Sequence, residues 1–176
     1  MNLRDELEAA IRTVPDFPIE GIQFRDITPL LSDPHLMRKV TASLAEAITV
    51  HEPTCIAGPE ARGFIFGPLL ADKMGIPFIP IRKPGKLPHR TVSVDYALEY
   101  GTNTLEMHED AMGAGDRAAI VDDLLATGGT VAAAADLITS TGARAVAACF
   151  VIELEGLNGR GRLPGISTHS LICLPA

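Results

Sequence analysis

The sequence predicts an α/β fold, a mainly parallel sheet with helices on both faces, and three observations predict it. Short continuous apolar runs of strand length alternate along the chain with segments whose apolar residues recur at helical spacing. The connections between them are mostly a few residues long and punctuated by Gly and Pro, which suits crossovers between parallel strands. The composition, 47% apolar and 21% charged over 176 residues, suits one compact domain spanning 1–176. Six Phe, two Tyr and no Trp leave Ala, Leu, Ile and Val to fill the core. A chain of this size buries roughly 70% of the surface exposed on unfolding, so it needs no metal or disulfide staple.

The opening residues 1–12 carry Asp5, Glu6 and Glu8 where a secretory signal would have a basic start and a greasy middle. Asp136 and Arg144 interrupt the most apolar third, so no uncharged run approaches the roughly 18 residues of a membrane span, and a cytoplasmic location is expected. Asp33-Pro34 opens the first predicted helix, with Leu36, Val40, Leu44, Ala47 and Ile48 along one face and an end near Thr49. Residues 55–57 form a short strand stopped by Gly58-Pro59, and residues 63–74 form a helix with Phe66, Leu69, Leu70 and Met74 on one side. A strand follows over 78–81. Residues 83–103 pass Pro84, Gly85, Pro88 and Gly101 with one short strand over 92–96, and an irregular stretch of that length reads as a lid over 82–104. Residues 118–121 form a strand, 130–141 an Ala-rich helix closed by Gly142, 145–153 a further strand and 167–174 an edge strand. Ligands of such sheets lie beyond the carboxyl ends of the strands, where the loops 58–63, 82 onward and 122–130 converge.

Fifteen Lys plus Arg against twenty-two Asp plus Glu give a net charge of −7, which argues against nucleic acid or an anionic membrane as partner. Residues 82–90 nevertheless gather Arg82, Lys83, Lys86 and Arg90, where nine residues of average composition would hold fewer than one such cation. That excess reads as an anion site on an acidic protein. Cys55, Cys149 and Cys173 sit among apolar neighbours at spacings that match no redox or metal motif, so buried reduced thiols on strands are expected. The five His residues show no ligand spacing, and no structural metal is assigned.

The chemistry concentrates in AAIVDDLLATGGT (118–130), where an apolar strand leads to two carboxylates, a small-residue loop and a helix start. The amides of Ala126, Thr127, Gly128, Gly129 and Thr130 stand where a helix presents unpaired N–H groups with its positive dipole end behind them, so they can cradle a phosphate. The glycines admit close approach and the two Thr hydroxyls can donate. No GK[ST] follows, which argues against the β and γ phosphates of a nucleoside triphosphate. Asp122 and Asp123 would repel a phosphate aimed at them. They suit ribose hydroxyls, or a magnesium ion sharing those hydroxyls, with the phosphate one loop further on.

These residues resemble the signature of the purine/pyrimidine phosphoribosyltransferase family. Four further blocks, FPIEGIQFRDITP (17–29), EARGFIFG (60–67), RKPGKLP (82–88) and LEYG (98–101), are similar in order to its adenine-using branch over residues 17–159. Pro59 stands in a variable position, and the tail after Gly159 matches no motif. The resemblance implies a type I phosphoribosyltransferase fold with a hood. It implies transfer of the phosphoribosyl group of phosphoribosyl pyrophosphate to adenine, giving AMP and pyrophosphate, with Mg2+ as cofactor and a homodimer as assembly. Residues 1–30 would hold the base, read by backbone groups of Gln23 and Arg25 with Leu154 packing on it. Arg62, Arg82 and Lys86 would take the pyrophosphate, Glu99 would serve as acid/base, and Tyr100 would shield the reacting centre from water. Two alternatives stand beside this reading: a transferase for another purine, and a non-catalytic phosphoribosyl-binding regulator. The regulator would want a DNA-binding module and a basic face, and the charge of −7 opposes it.

Overall fold

The computed structural model describes residues 2–97 and 102–176. Helix α1 (Leu3–Ala10) is followed by strands β1 (Arg12–Pro15) and β2 (Gln23–Asp26), which pair antiparallel as a separate hairpin. Helices α2 (Thr28–Leu31) and α3 (Pro34–Thr49) lead to β3 (Cys55–Pro59), α4 (Gly63–Met74) and β4 (Phe78–Ile81). A second antiparallel hairpin, β5 (Thr91–Ala97) and β6 (Thr102–His108), precedes β7 (Arg117–Leu125), α5 (Gly129–Ser140) and β8 (Arg144–Glu155). A 3-10 turn (Gly159–Arg162) and β9 (Ser167–Pro175) complete the chain.

Strands β4-β3-β7-β8-β9 form one five-stranded sheet with every neighbouring pair parallel. Period-two alternation along the strands separates two cores. Ala119 and Val121 of β7 join the core under α1, α3 and α4, whereas Ala118 and Ile120 join the one under α5 and the β5–β6 hairpin. Helix α3 forms where expected because Asp33 accepts from the amides of His35 and Leu36, Pro34 occupies the first turn, and Leu36, Val40, Leu44 and Ile48 are buried. Among the described residues no helix is long and apolar enough to cross a membrane.

Three local expectations change. Strand β7 runs from Arg117 through Leu125, so Asp122 and Asp123 sit on the strand, with Asp122 opposite Phe150 of β8, and not in the loop after it. The 83–103 stretch is largely built: Val92 and Val94 pair with Met107 and Leu105 across the β5–β6 hairpin, and Arg82 exchanges both backbone hydrogen bonds with Glu106. The helix α1, capped by Asn2, carries no apolar periodicity that the sequence shows, because a single residue, Leu7, is fully buried along it. The cysteines lie on strands as expected, and burial pushes the Cys55 thiol up to about 11 and the Cys149 thiol up to about 12; Cys173 is half-buried.

Strand order reverses between β3 and β7, and the register opens a crevice there. β3 pairs with β7 only from Cys55↔Ala118 to Ala57↔Ile120, while it follows β4 on to Pro59↔Ile81. From Val121 to Leu125, β7 therefore runs on without β3 paired beside it. Ligands of doubly wound sheets bind at such a switch point.

Candidate active site

The crevice holds a cleft of about 330 Å3 lined by Glu60, Ala61, Arg62, Asp122, Asp123 and Thr130. A hollow of about 360 Å3 between α5 and residues 162–166 is slightly larger but holds neither carboxylate of β7, so the chemistry and not the volume selects the site. Arg62 stands at the N-terminal end of α4, which packs so tightly on β7 that a Cβ at Gly63 would come within 2.8 Å of the Val121 carbonyl. That contact brings Arg62 Nε to 2.7 Å from Oδ2 of Asp123, whose side chain is 2% exposed. The nitrogen is close enough for an ion pair but lies off the N–H direction, so the buried oxygen has no in-line hydrogen bond. Asp122 accepts from the Asp123 amide at 2.9 Å. Burial first, and then the charge of Asp123, push the Asp122 carboxyl well above its ordinary range.

No group of three or more His, Cys, Asp or Glu converges among the described residues, which by themselves build no closed metal cage. The cleft offers two adjacent carboxylates with one under-satisfied buried oxygen. That donor set fits a hard divalent cation arriving with substrate oxygens and water, as magnesium commonly does.

One turn further, Ala126, Thr127, Gly128, Gly129 and Thr130 form the loop into α5. Gly128 caps the helix with φ +80°, a conformation that favours glycine, and no acidic residue lies in the first turn to repel an anion. The loop is held from below by the tail whose role the sequence left open. A Cβ at Gly159 would come within 2.3 Å of the Ala126 carbonyl, and one at Gly128 within 2.5 Å of the Gly159 carbonyl. From the side, the hydroxyl of Tyr96 on β5 reaches Thr130 Oγ1 at 3.5 Å. Sequence reasoning passed over both supports. The signal for the first was the pair of glycines in NGRG, which follows the end of β8 after a gap of two residues; the second had none, since it needs the hairpin to fold onto α5.

The proposed pyrophosphate residues divide. Arg62 lines the cleft. Arg82 does not; it donates to Glu60 from Nε at 2.8 Å and to the Lys86 carbonyl from Nη1 at 3.1 Å, and stands 5.8 Å over the Phe64 ring. Lys86 is exposed on the same loop. Burial acts to raise the Glu60 carboxyl, but the Lys83 amide and the Arg82 guanidinium outweigh it and hold Glu60 below its ordinary range. Glu60, which the motif contained without a role, thus ties the loop after β3 to the loop after β4.

The β1–β2 hairpin reaches the cleft through Phe24, whose ring lies 5.6 Å from the Arg62 guanidinium and stacks edge-on against Phe17 at 5.1 Å. Among the described residues β2 pairs with β1 alone, so the backbone groups of its other edge have no strand partner. Gln23 is exposed there. The Arg25 side chain points elsewhere, donating to Thr13 Oγ1 and to the Pro175 carbonyl. Leu154 packs on the core under α3 and does not line the cleft. Glu99 and Tyr100 lie outside the described residues.

Comparison with known proteins agrees with this geometry. The model of the phosphoribosyl transferase domain matches residues 27–164. The adenine phosphoribosyltransferase of Methylococcus capsulatus is 54% identical over 168 residues, covering 96% of this chain and 98% of its own. The crystal structure of the adenine phosphoribosyltransferase from Thermoanaerobacter pseudethanolicus superposes with a TM-score of 0.95 at 48% identity, over 98% of this chain and 100% of that one. The Saccharomyces cerevisiae enzyme, crystallised with an imino-altritol bisphosphate and adenine, gives a TM-score of 0.90 at 39% identity over 97% and 98% of the two chains.

Proposed function

The chain belongs to the phosphoribosyltransferase family, and from that premise we propose how its cleft works. The reaction is transfer of the phosphoribosyl group of phosphoribosyl pyrophosphate to adenine, giving AMP and pyrophosphate. The observation that carries the reading is the order of groups along one crevice: buried carboxylates on β7, then a glycine loop at the N-terminus of α5, with the β1–β2 hairpin touching Arg62 from above.

Asp122 and Asp123 take the ribose hydroxyls, while the amides and hydroxyls of residues 126–130 take the 5-phosphate. Acid and amide thereby fix the sugar from two ends and hold its anomeric carbon over the cleft. The C–O bond to pyrophosphate breaks with its electron pair leaving on the pyrophosphate, and a ring nitrogen of adenine supplies the pair for the new C–N bond. The sugar passes through an oxocarbenium-like state between the two. Arg62 neutralises the departing pyrophosphate directly. Lys86 can swing to the same anion, and Arg82 acts by holding Glu60 and the loop backbone. Bound magnesium would supply further charge neutralisation on pyrophosphate and the ribose oxygens.

Adenine is read at the free edge of β2 by backbone groups of Gln23 and Arg25. An oxo group in place of the exocyclic amine would set acceptor against acceptor, which rejects guanine. Glu99 accepts the proton that adenine loses as it bonds, and Tyr100 excludes competing water from the lid over 82–104. The family resemblance supports a homodimer and a cytoplasmic location. The test is to mix the protein with magnesium, phosphoribosyl pyrophosphate and each purine base and to follow the nucleotide formed. AMP with adenine, and little product with hypoxanthine or guanine, is expected; preferential use of another base would overturn the base assignment.

A further inference from the structure

The 3-10 turn after β8 carries two arginines with opposite surroundings. Arg160 is fully engaged, with Nε and Nη2 on Glu153 at 2.7 and 2.6 Å and Nη1 donating to the Thr168 carbonyl at 2.6 Å. Arg162 is exposed and makes no ion pair or side-chain hydrogen bond among the described residues. Its Nη1 lies 3.8 Å from the position a Cβ would take on Gly129, the first residue of α5, in the same sphere as Thr127 Oγ1 at 4.0 Å. The turn cannot carry it away: Gly159 is wedged against the Ala126 carbonyl on one side of the turn, and Leu163 is buried on the other.

The geometry points to Arg162 as a further residue of the phosphate site, closing its flank with a full positive charge. The glycine loop contains no lysine, and a helix N-terminus by itself offers the equivalent of roughly half a charge, so a dianionic monoester on those amides is under-neutralised without a cation beside it. An arginine supplies the missing charge together with a fork of N–H donors matched to phosphate oxygens. This assignment rests on the phosphoribosyl reading above and extends it to the turn after β8.

The wild-type enzyme is assayed first for AMP formation and for binding of ribose 5-phosphate, then compared with Arg162→Ala and Arg162→Lys. Arg162→Ala is expected to raise both KM for phosphoribosyl pyrophosphate and Kd for ribose 5-phosphate about 3- to 30-fold, the lower part reflecting an exposed guanidinium. KM for adenine and the melting temperature should not move, and Arg162→Lys should recover part of the loss. Changes within twofold in Arg162→Ala, or a loss that falls equally on adenine and on thermal stability, overturn the assignment while leaving the reaction intact. A wild-type protein that neither forms AMP nor binds ribose 5-phosphate refutes the phosphoribosyl reading, and this inference with it.

Discussion

Gly159→Ala tests whether the tail shapes the phosphate loop. The added Cβ would stand 2.3 Å from the Ala126 carbonyl and 2.9 Å from the Leu125 side chain. Ordinary contact begins near 3.4 Å, so the Ala126 peptide or the turn must give way by about 1.1 Å. The turn is held by Arg160 on Glu153 and by buried Leu163, whereas Thr127 at the crest of the loop is exposed. The loop therefore yields. Overpacking of this kind costs about 1–3 kcal/mol, and 1.4 kcal/mol is tenfold, so affinity for the phosphoribosyl substrate should fall about 5- to 150-fold if the loop bears the strain. A misplacement near 1 Å can also cost about a hundredfold in rate. Steady-state kinetics with each substrate varied in turn separate the effect: KM for phosphoribosyl pyrophosphate rises and KM for adenine stays. If both constants remain within twofold of wild type, the contact between turn and loop does not set the site and the reasoning is wrong.

Three other outcomes follow from the same geometry. Burial and the charge of Asp123 raise the Asp122 carboxyl, so its protonated form is favoured in the folded chain; stability is fully present below the unfolded value near 3.9 and declines as pH rises from there through the folded value. Asp122→Asn should therefore raise the melting temperature of the ligand-free protein at pH 7 more than at pH 4, while weakening phosphoribosyl pyrophosphate binding about tenfold or more. A lower melting temperature at pH 7 would contradict it. Glu99→Gln should lower kcat about 10²- to 10⁴-fold with little change in substrate affinity, and unchanged turnover removes its acid/base role. The Arg160 hydrogen bond first, opposed by burial, holds the Glu153 carboxyl below its ordinary range. This stability is present above the unfolded value near 4.3 and is lost as pH falls through the folded one. Arg160→Ala should cost about 1–2 kcal/mol, discounted for a guanidinium that is 48% exposed, read as a drop of roughly 2–8 °C that shrinks in acid.

Much of this protein is legible in one dimension because its signals are local. Asp33-Pro34 caps α3 using only neighbours, and a strand buried on both faces, such as CIAGP, or half-buried on one, such as FIPI, announces itself as an apolar run. The order of carboxylates, glycines and helix start in AAIVDDLLATGGT likewise prescribes which chemistry stands next to which, since it depends on adjacency along the chain. Adjacency misled at one point: two Asp after an apolar run read as a loop, because their strand pairing is decided by β8 across the sheet.

Tertiary structure alone decided the rest. Only the divergence of β3 from β7 turns two acids into a cleft, and only the packing of α4 on Val121 brings Arg62 to Asp123 from sixty-one positions away. The engagement of Arg82 by Glu60, the touch of Tyr96 on Thr130 and the wedge of Gly159 under Ala126 are also contacts between segments distant in sequence. Residue type and spacing specify what a short segment can do for itself. Which groups meet across the molecule is set by close packing of whole helices and strands, a property that no single segment carries.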